Sequence, residues 1–360
     1  VRFAGVDPAA PFADPAVPVL EWPEDRPAPR LPAGKGGIAV RTRYGGRWDR
    51  RYPEPARNVG VDGRPLWHGW GRMIAVVEPG AHLVEVREER AEGARIAHVA
   101  AGTVVELEYA APRNWGTVGT FGPAPVREVG ATTRPWLLAF GGLMAALAAF
   151  TRAGYPPDGW TPLALVAVAV ALPPVWNRYR ARADRRYRAC LAGAPHRFTD
   201  GWFLGDTPGD LPDPGPEHGG LLLRFRLRHG IRTGEALAGN PHAWLGPPRP
   251  RIDGHAHRAS WATWWYRLPP GRHTVAVLPP EVAIAGGAPE PAVPVTFEIG
   301  LHPGRTRALL VELSGESTLR PVAGGDPPRD AEGRISYRNW TPATEAVAFD
   351  QRIDVSETHV

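Results

Sequence analysis

Pro79-Gly80-Ala81-His82-Leu83-Val84-Glu85-Val86 reads as a turn opening a β-strand: Pro-Gly reverses the chain, and valines then alternate with other residues. The same arrangement returns at Pro270-Gly271-Arg272-His273-Thr274-Val275-Ala276-Val277. Upstream, each copy has an Asp-Gly turn signal, Val61-Asp62-Gly63 and Ile252-Asp253-Gly254. A Trp stands eight residues after each Asp (Trp70, Trp261), and the Gly of Pro-Gly-x-His stands eighteen after it (Gly80, Gly271). Further upstream, Gly36-Gly37-Ile38-Ala39-Val40-Arg41-Thr42-Arg43 corresponds to Gly219-Gly220-Leu221-Leu222-Leu223-Arg224-Phe225-Arg226. Shared spacing across these features predicts a mainly β chain with two related β-sandwich domains.

Between the copies lie two apolar runs, Trp136 to Phe150 and Trp160 to Trp176, around a Pro/Gly-rich turn from Thr151 to Gly159. They read as a two-helix transmembrane hairpin over 135–176, with Trp136, Tyr155, Trp160 and Trp176 at headgroup depth. The alternative is a helical hairpin buried in a protein core. After the second run, Arg178, Arg180, Arg182, Arg185, Arg186 and Arg188 face one acid, Asp184. The positive-inside rule then predicts a bacterial inner-membrane protein with both termini cytoplasmic. These arginines would meet the lipid bilayer and its anionic headgroups, or would serve only to set topology.

Gly and Pro number 42 each among 360 residues, too many for an all-helical protein and suited to short strands joined by turns. Lys35 is the only lysine among 42 basic residues, an arginine bias of the kind GC-rich bacterial genomes produce. The basic balance therefore does not imply nucleic acid, since the arginines do not form one basic face with stacking aromatics. A single cysteine, Cys190, excludes an intramolecular disulfide. The first twenty residues show no apolar h-region, so the hairpin is expected to do the targeting.

The expected organisation is an extended Pro/acid-rich arm (1–34), a first β domain (35–110), a linker (111–134) and the hairpin (135–176). A basic helix (177–193), a second linker (194–218), a second β domain (219–320) and a polar tail (321–360) follow. The order of strand, Asp-Gly turn, strand, Pro-Gly-x-His-x-Val-x-Val and closing strand resembles the PEGA-type domain. That small β-sandwich is related to the carboxypeptidase regulatory-like and transthyretin-like folds. The resemblance covers about 38–108 and 221–313, and it implies binding or structural modules without a catalytic centre.

Asp62-Gly63 and Asp253-Gly254 are expected to be structural turns, and His82 and His273 satisfied, half-buried histidines on the valine face. His255 and His257, two apart with Asp253 and His242 nearby in sequence, are the candidate metal pair, and a third convincing ligand is missing from the sequence. The densest aromatic cluster, Trp261, Trp264, Trp265 and Tyr266, is expected to be mostly core, and any exposed member is the candidate binding surface. Adjacent Trp264 and Trp265 must face opposite sides of a strand, which would expose one of them. No nucleophile elbow, phosphate loop, zinc-protease helix or Cys-pair motif is present. The expected role is a non-enzymatic scaffold or adaptor that needs no cofactor and binds a protein partner. A ligand-binding sensor or transport-associated subunit is the alternative, and a metal-dependent enzyme is a third.

Overall fold

The computed structural model describes residues 9–12, 15–43, 57–87, 91–112, 119–129, 134–152, 160–206, 210–232, 244–280, 293–321 and 344–358. The first half contains β1 (Ala10–Pro11), β2 (Val19–Glu21), β3 (Gly36–Arg43), β4 (Asn58–Val61) and β5 (Arg64–His68). It continues with β6 (Gly71–Val77), β7 (Gly80–Arg87), β8 (Ala91–Val99), β9 (Val104–Ala110) and β10 (Thr120–Pro123). Two helices follow, α1 (Arg134–Arg152) and α2 (Trp160–Ala192). The second half contains β11 (His196–Phe198), β12 (Gly201–Gly205), β13 (Gly219–Arg232), β14 (Arg249–Ile252) and β15 (His255–Ala256). It ends with β16 (Thr263–Leu268), β17 (Gly271–Leu278), β18 (Val295–Leu301), β19 (Thr306–Pro321) and β20 (Thr344–Thr358).

In the first module the sheets run β1-β5-β4-β7-β8 and β10-β9-β3-β6-β2. In the second they run β15-β14-β17-β18 and β11-β12-β16-β13-β19-β20. The order β5-β4-β7-β8 thus returns as β15-β14-β17-β18, and β6-β3-β9 as β16-β13-β19. The one parallel pairing among the described residues of each module also recurs, with Ile38 opposite Val105 and Leu223 opposite Leu309. Alternation drives the layering: Ile38 and Val40 of one sheet share a buried cluster with Val59, Val61, Val84 and Val86 of the other. Leu221, Leu223, Trp264 and Tyr266 meet Ile252, Val275, Val277 and Ile299 in the same way. Burying each such side chain contributes about 1.5–3 kcal/mol.

Four segments expected outside the domains belong to the sheets: both linkers do, with β10 in 111–134 and β11 and β12 in 194–218, and so do the arm and the tail. Residues 9–12 and 15–34 are no free arm: β1 pairs with β5, β2 pairs with β6, and Phe12 and Trp22 are buried. In the polar tail, residues 344–358 form β20 along β19, and Phe349, Ile353 and Val355 pack on the second core. The arm and the tail both carry apolar residues at strand spacing between prolines and charges, a weak signal that an open sheet edge completes.

The helical hairpin requires a correction. Among the described residues, no helix is long and apolar enough to cross a membrane, which overturns the expected transmembrane hairpin and the inner-membrane location with cytoplasmic termini. α1 has 19 residues and carries arginine at both ends. The apolar part of α2, Trp160 to Trp176, contains Pro173 and Pro174 and runs straight into the arginine-rich half. Seventeen residues of helix span only about 26 Å, short of a hydrocarbon core of about 30 Å. The alternative of a core-buried hairpin fails too, because Phe140 is 63% exposed and Met144 51%. Of the expected turn at 151–159, residues 151 and 152 belong to α1 and 153–159 lie outside the described residues. α2 is fastened to the first module through its second half, where Arg127 N–H donates to Tyr187 Oη at 2.9 Å. The Arg127 guanidinium also lies 4.3 Å from the Tyr187 ring centroid.

Candidate functional site

Each Asp-Gly turn builds one arrangement twice. Asp62 (φ 51°) and Gly63 (φ 79°) both have positive φ, as do Asp253 (50°) and Gly254 (81°), the backbone of a two-residue hairpin loop. Asp62 Oδ2 lies 2.8 Å from His82 Nδ1, and Asp62 Oδ1 accepts from Leu83 N–H at 3.0 Å. In the second module the distances are 2.6 Å to His273 Nδ1 and 2.9 Å to Thr274 N. The other ring nitrogen, Nε2, lies 2.7 Å from Glu78 O in His82 and 2.8 Å from Pro269 O in His273. An aspartate in the left-handed region costs at most about 1–2 kcal/mol. Hydrogen bonds to charged groups are worth about 1.5–3 kcal/mol each, so the side-chain bonds outweigh the turn's strain.

That geometry also decides the chemistry. Nε2 faces a backbone carbonyl and Nδ1 a carboxylate oxygen, so both ring nitrogens are engaged within the protein. The hydrogen bond from His273 holds the Asp253 carboxyl below its usual range; the Thr274 N–H bond adds to this and burial opposes it. An Asp–His pair resembles the orienting half of a hydrolase triad. Here, however, the nitrogen that would serve a substrate is occupied by a backbone carbonyl four residues back. These pairs are clasps between a hairpin turn and the start of β7 or β17.

The first clasp sits at the junction of the modules. Trp244, just before β14, lays its ring over Gly60 of β4 and donates from Nε1 to Gly63 O at 2.9 Å. The Arg87 guanidinium lies 3.9 Å from the Trp244 ring centroid and donates through Nη1 to Leu245 O. Arg87 is fully buried, and its Nη2 lies 2.7 Å from Glu85 Oε1. Burial pulls the Arg87 guanidinium down from its usual range, and Glu85 opposes this. Arg95 pairs with Asp206, and Arg258 Nη2 approaches Asp62 Oδ1 at 3.8 Å, both across the same junction. His98 and His196 face each other with ring centroids 5.0 Å apart. Burial first, then His98 and Arg258, lower the His196 pKa. Sequence reasoning missed this junction; its one signal was Gly60, small where Val59 and Val61 are large.

The expected binding surface is interior. Trp261, Trp264, Trp265 and Tyr266 are all buried. Trp264 and Trp265 do face opposite sides of β16, but Trp202, Leu204 and Leu211 cover Trp265. Every polar handle is also taken within the protein: Trp261 Nε1 by Gly246 O, Trp264 Nε1 by Ser260 Oγ, Trp265 Nε1 by Thr306 Oγ1 and Tyr266 Oη by Arg258 O. Burial raises the Tyr266 pKa well above its usual value, and Asp200 adds to it.

His255 is exposed at the hairpin tip, whereas His257 lies beyond β15 with Nδ1 3.1 Å from Asp200 O. Among the described residues, no group of three His, Cys, Asp or Glu could hold a metal. Five of the six candidate basic residues, Arg178, Arg180, Arg182, Arg185 and Arg186, are exposed on α2, and Arg188 is half-buried. An open cleft of about 380 Å³ lies beside Trp202 and Trp265, with Arg197, Arg267, Asp200 and Asp213 on its walls.

No family model matches the chain. No curated protein matches it either. Among solved structures, it aligns with the Bacillus anthracis TIE protein at 9% identity and a TM-score of 0.17. The alignment covers 91% of this chain and 46% of that one, so the chain spans less than half of that protein's length. A similarity this low carries no argument about fold or role.

Proposed function

We propose that the chain is a non-enzymatic scaffold in which two related β-sandwich modules of PEGA type hold a protein partner. The observation that supports this reading is the junction at Trp244 and Arg87, which fixes the relative placement of the modules. Two docking faces held at one spacing raise the effective concentration of the second contact once the first has formed. The Asp–His clasps favour the same reading, because they spend both ring nitrogens on backbone geometry. Photo-crosslinkers placed on exposed positions of both modules in the native host test it. The expected result is one protein crosslinked to both modules and lost from the second when Trp244→Ala loosens the junction. Crosslinks to no protein from either module would overturn it.

The cleft beside Trp202 favours a second reading, a small-ligand sensor. Its mixed arginine and aspartate walls suit a zwitterionic molecule. Thermal stabilisation by such ligands, abolished by Arg267→Ala, would support that role.

A further inference from the structure

The strand β20 contains Phe349-Asp350-Gln351-Arg352-Ile353-Asp354-Val355-Ser356-Glu357-Thr358. Its odd positions, Phe349, Ile353 and Val355, turn toward the second core. Asp350, Arg352 and Asp354 therefore share the opposite face. One edge of β20 is bonded antiparallel to β19 from Thr344 to Thr358. The other edge has no strand neighbour among the described residues, and the strand is 15 residues long. A long unpaired edge offers a row of backbone donors and acceptors to another strand.

We propose that this edge pairs antiparallel with β20 of a second copy of the chain. The charges specify that occupant. Arg352 stands between two aspartates on one face, and its guanidinium already bonds Asp354 at 2.9 Å within the strand. A two-fold axis through Ile353 sets each Arg352 opposite the partner strand's Asp354, and one through Gln351 sets it opposite the partner's Asp350. A parallel in-register pairing would stack Arg352 on Arg352, and an antiparallel axis at Arg352 or Asp354 would oppose like charges. An edge defended only by charge would carry one sign, whereas this one is complementary to itself under antiparallel symmetry. On the core side the axis at Ile353 sets Ile353 opposite its own copy, and the axis at Gln351 sets it opposite the partner strand's Phe349.

Sedimentation velocity of the full chain and two charge variants tests the pairing. The wild type is expected to sediment as a dimer. Arg352→Glu leaves three acids on the face, and Asp350→Arg with Asp354→Arg leaves three arginines; each should sediment as a monomer. Mixing the two variants should restore the dimer, because opposite charges again face one another. Arg352 is 79% exposed, so the variants should retain the wild-type circular dichroism and melting profile. A monomeric wild type, including one that binds an extended peptide on this edge, would overturn the proposal. So would dimers that persist in either variant, which would place the contact elsewhere.

Discussion

His273 Nδ1 lies 2.6 Å from Asp253 Oδ2, closing a bond between a hairpin turn and a strand residue twenty positions later. His82 and Asp62 make the same bond in the first module. In each module a side chain in a left-handed turn thus holds the start of the central valine strand.

Removing that bond should destabilise the second module. Asp253→Ala loses the bonds to His273 and Thr274 and the residue's tolerance of positive φ, and should cost about 2 kcal/mol in urea denaturation. Asp253→Asn keeps the turn conformation and should cost less. Equal effects of the two substitutions would mean that the carboxylate's bond to His273, not the turn conformation, carries the stability.

Two groups predict acid sensitivity, each with its own window. The Asp253 carboxyl is depressed in the folded state, so its contribution is present above the ordinary carboxylate value of 3.8 and is lost as pH falls through the depressed one. His68 is lowered by burial from 6.5 to about 4. The unfolded chain therefore binds a proton that the folded chain refuses, and stability falls between those two values as the solution is acidified. The full effect is at most about 3 kcal/mol. His68→Phe keeps an aromatic ring against Phe12, now 5.2 Å away by centroid, and removes the titration. Its stability should be flatter from pH 6.5 to 4 in denaturation series.

Trp244→Ala should release the modules from one another. A buried tryptophan truncated to alanine costs about 3–5 kcal/mol. Here it also uncovers the buried Arg87 and leaves Gly63 O without its donor. Small-angle scattering should show a longer particle, and hydrogen exchange should rise across β4 and β7. An unchanged scattering profile would mean that Arg95 and Asp206 suffice to hold the junction.

Gly60→Ala should be damaging and only partly rescued by the loss of Trp244. A β-carbon at this position would lie 2.4 Å from the Trp244 ring and 2.5 Å from Arg64 O. The ring disappears in the double variant, but the backbone oxygen does not. Overpacking of this kind costs about 1–3 kcal/mol, and the two substitutions should be less than additive in thermal unfolding.

The local geometry was legible in the chain because it depends on neighbours in sequence. Asp-Gly dictates two positive φ values, Pro-Gly-x-His begins a strand, and alternating valines choose a buried face; each signal occurs twice at the same spacing. The helices at 134–152 and 160–192 were legible from their composition. Their setting was not, because apolarity alone does not measure span against Pro173-Pro174 and the flanking arginines. One of Trp264 and Trp265 was expected to be exposed, since a strand must show two faces. Only the tertiary structure supplied Trp202 and Leu211 to cover the second face. The same holds for Trp244 on Gly60 and for β20 along β19: each joins segments far apart in sequence, where no local pattern names the partner. The sequence by itself determined turns, strands and their duplication, which follow from short-range sterics and periodicity. Long-range packing decided which aromatic surfaces are core and how the modules clasp.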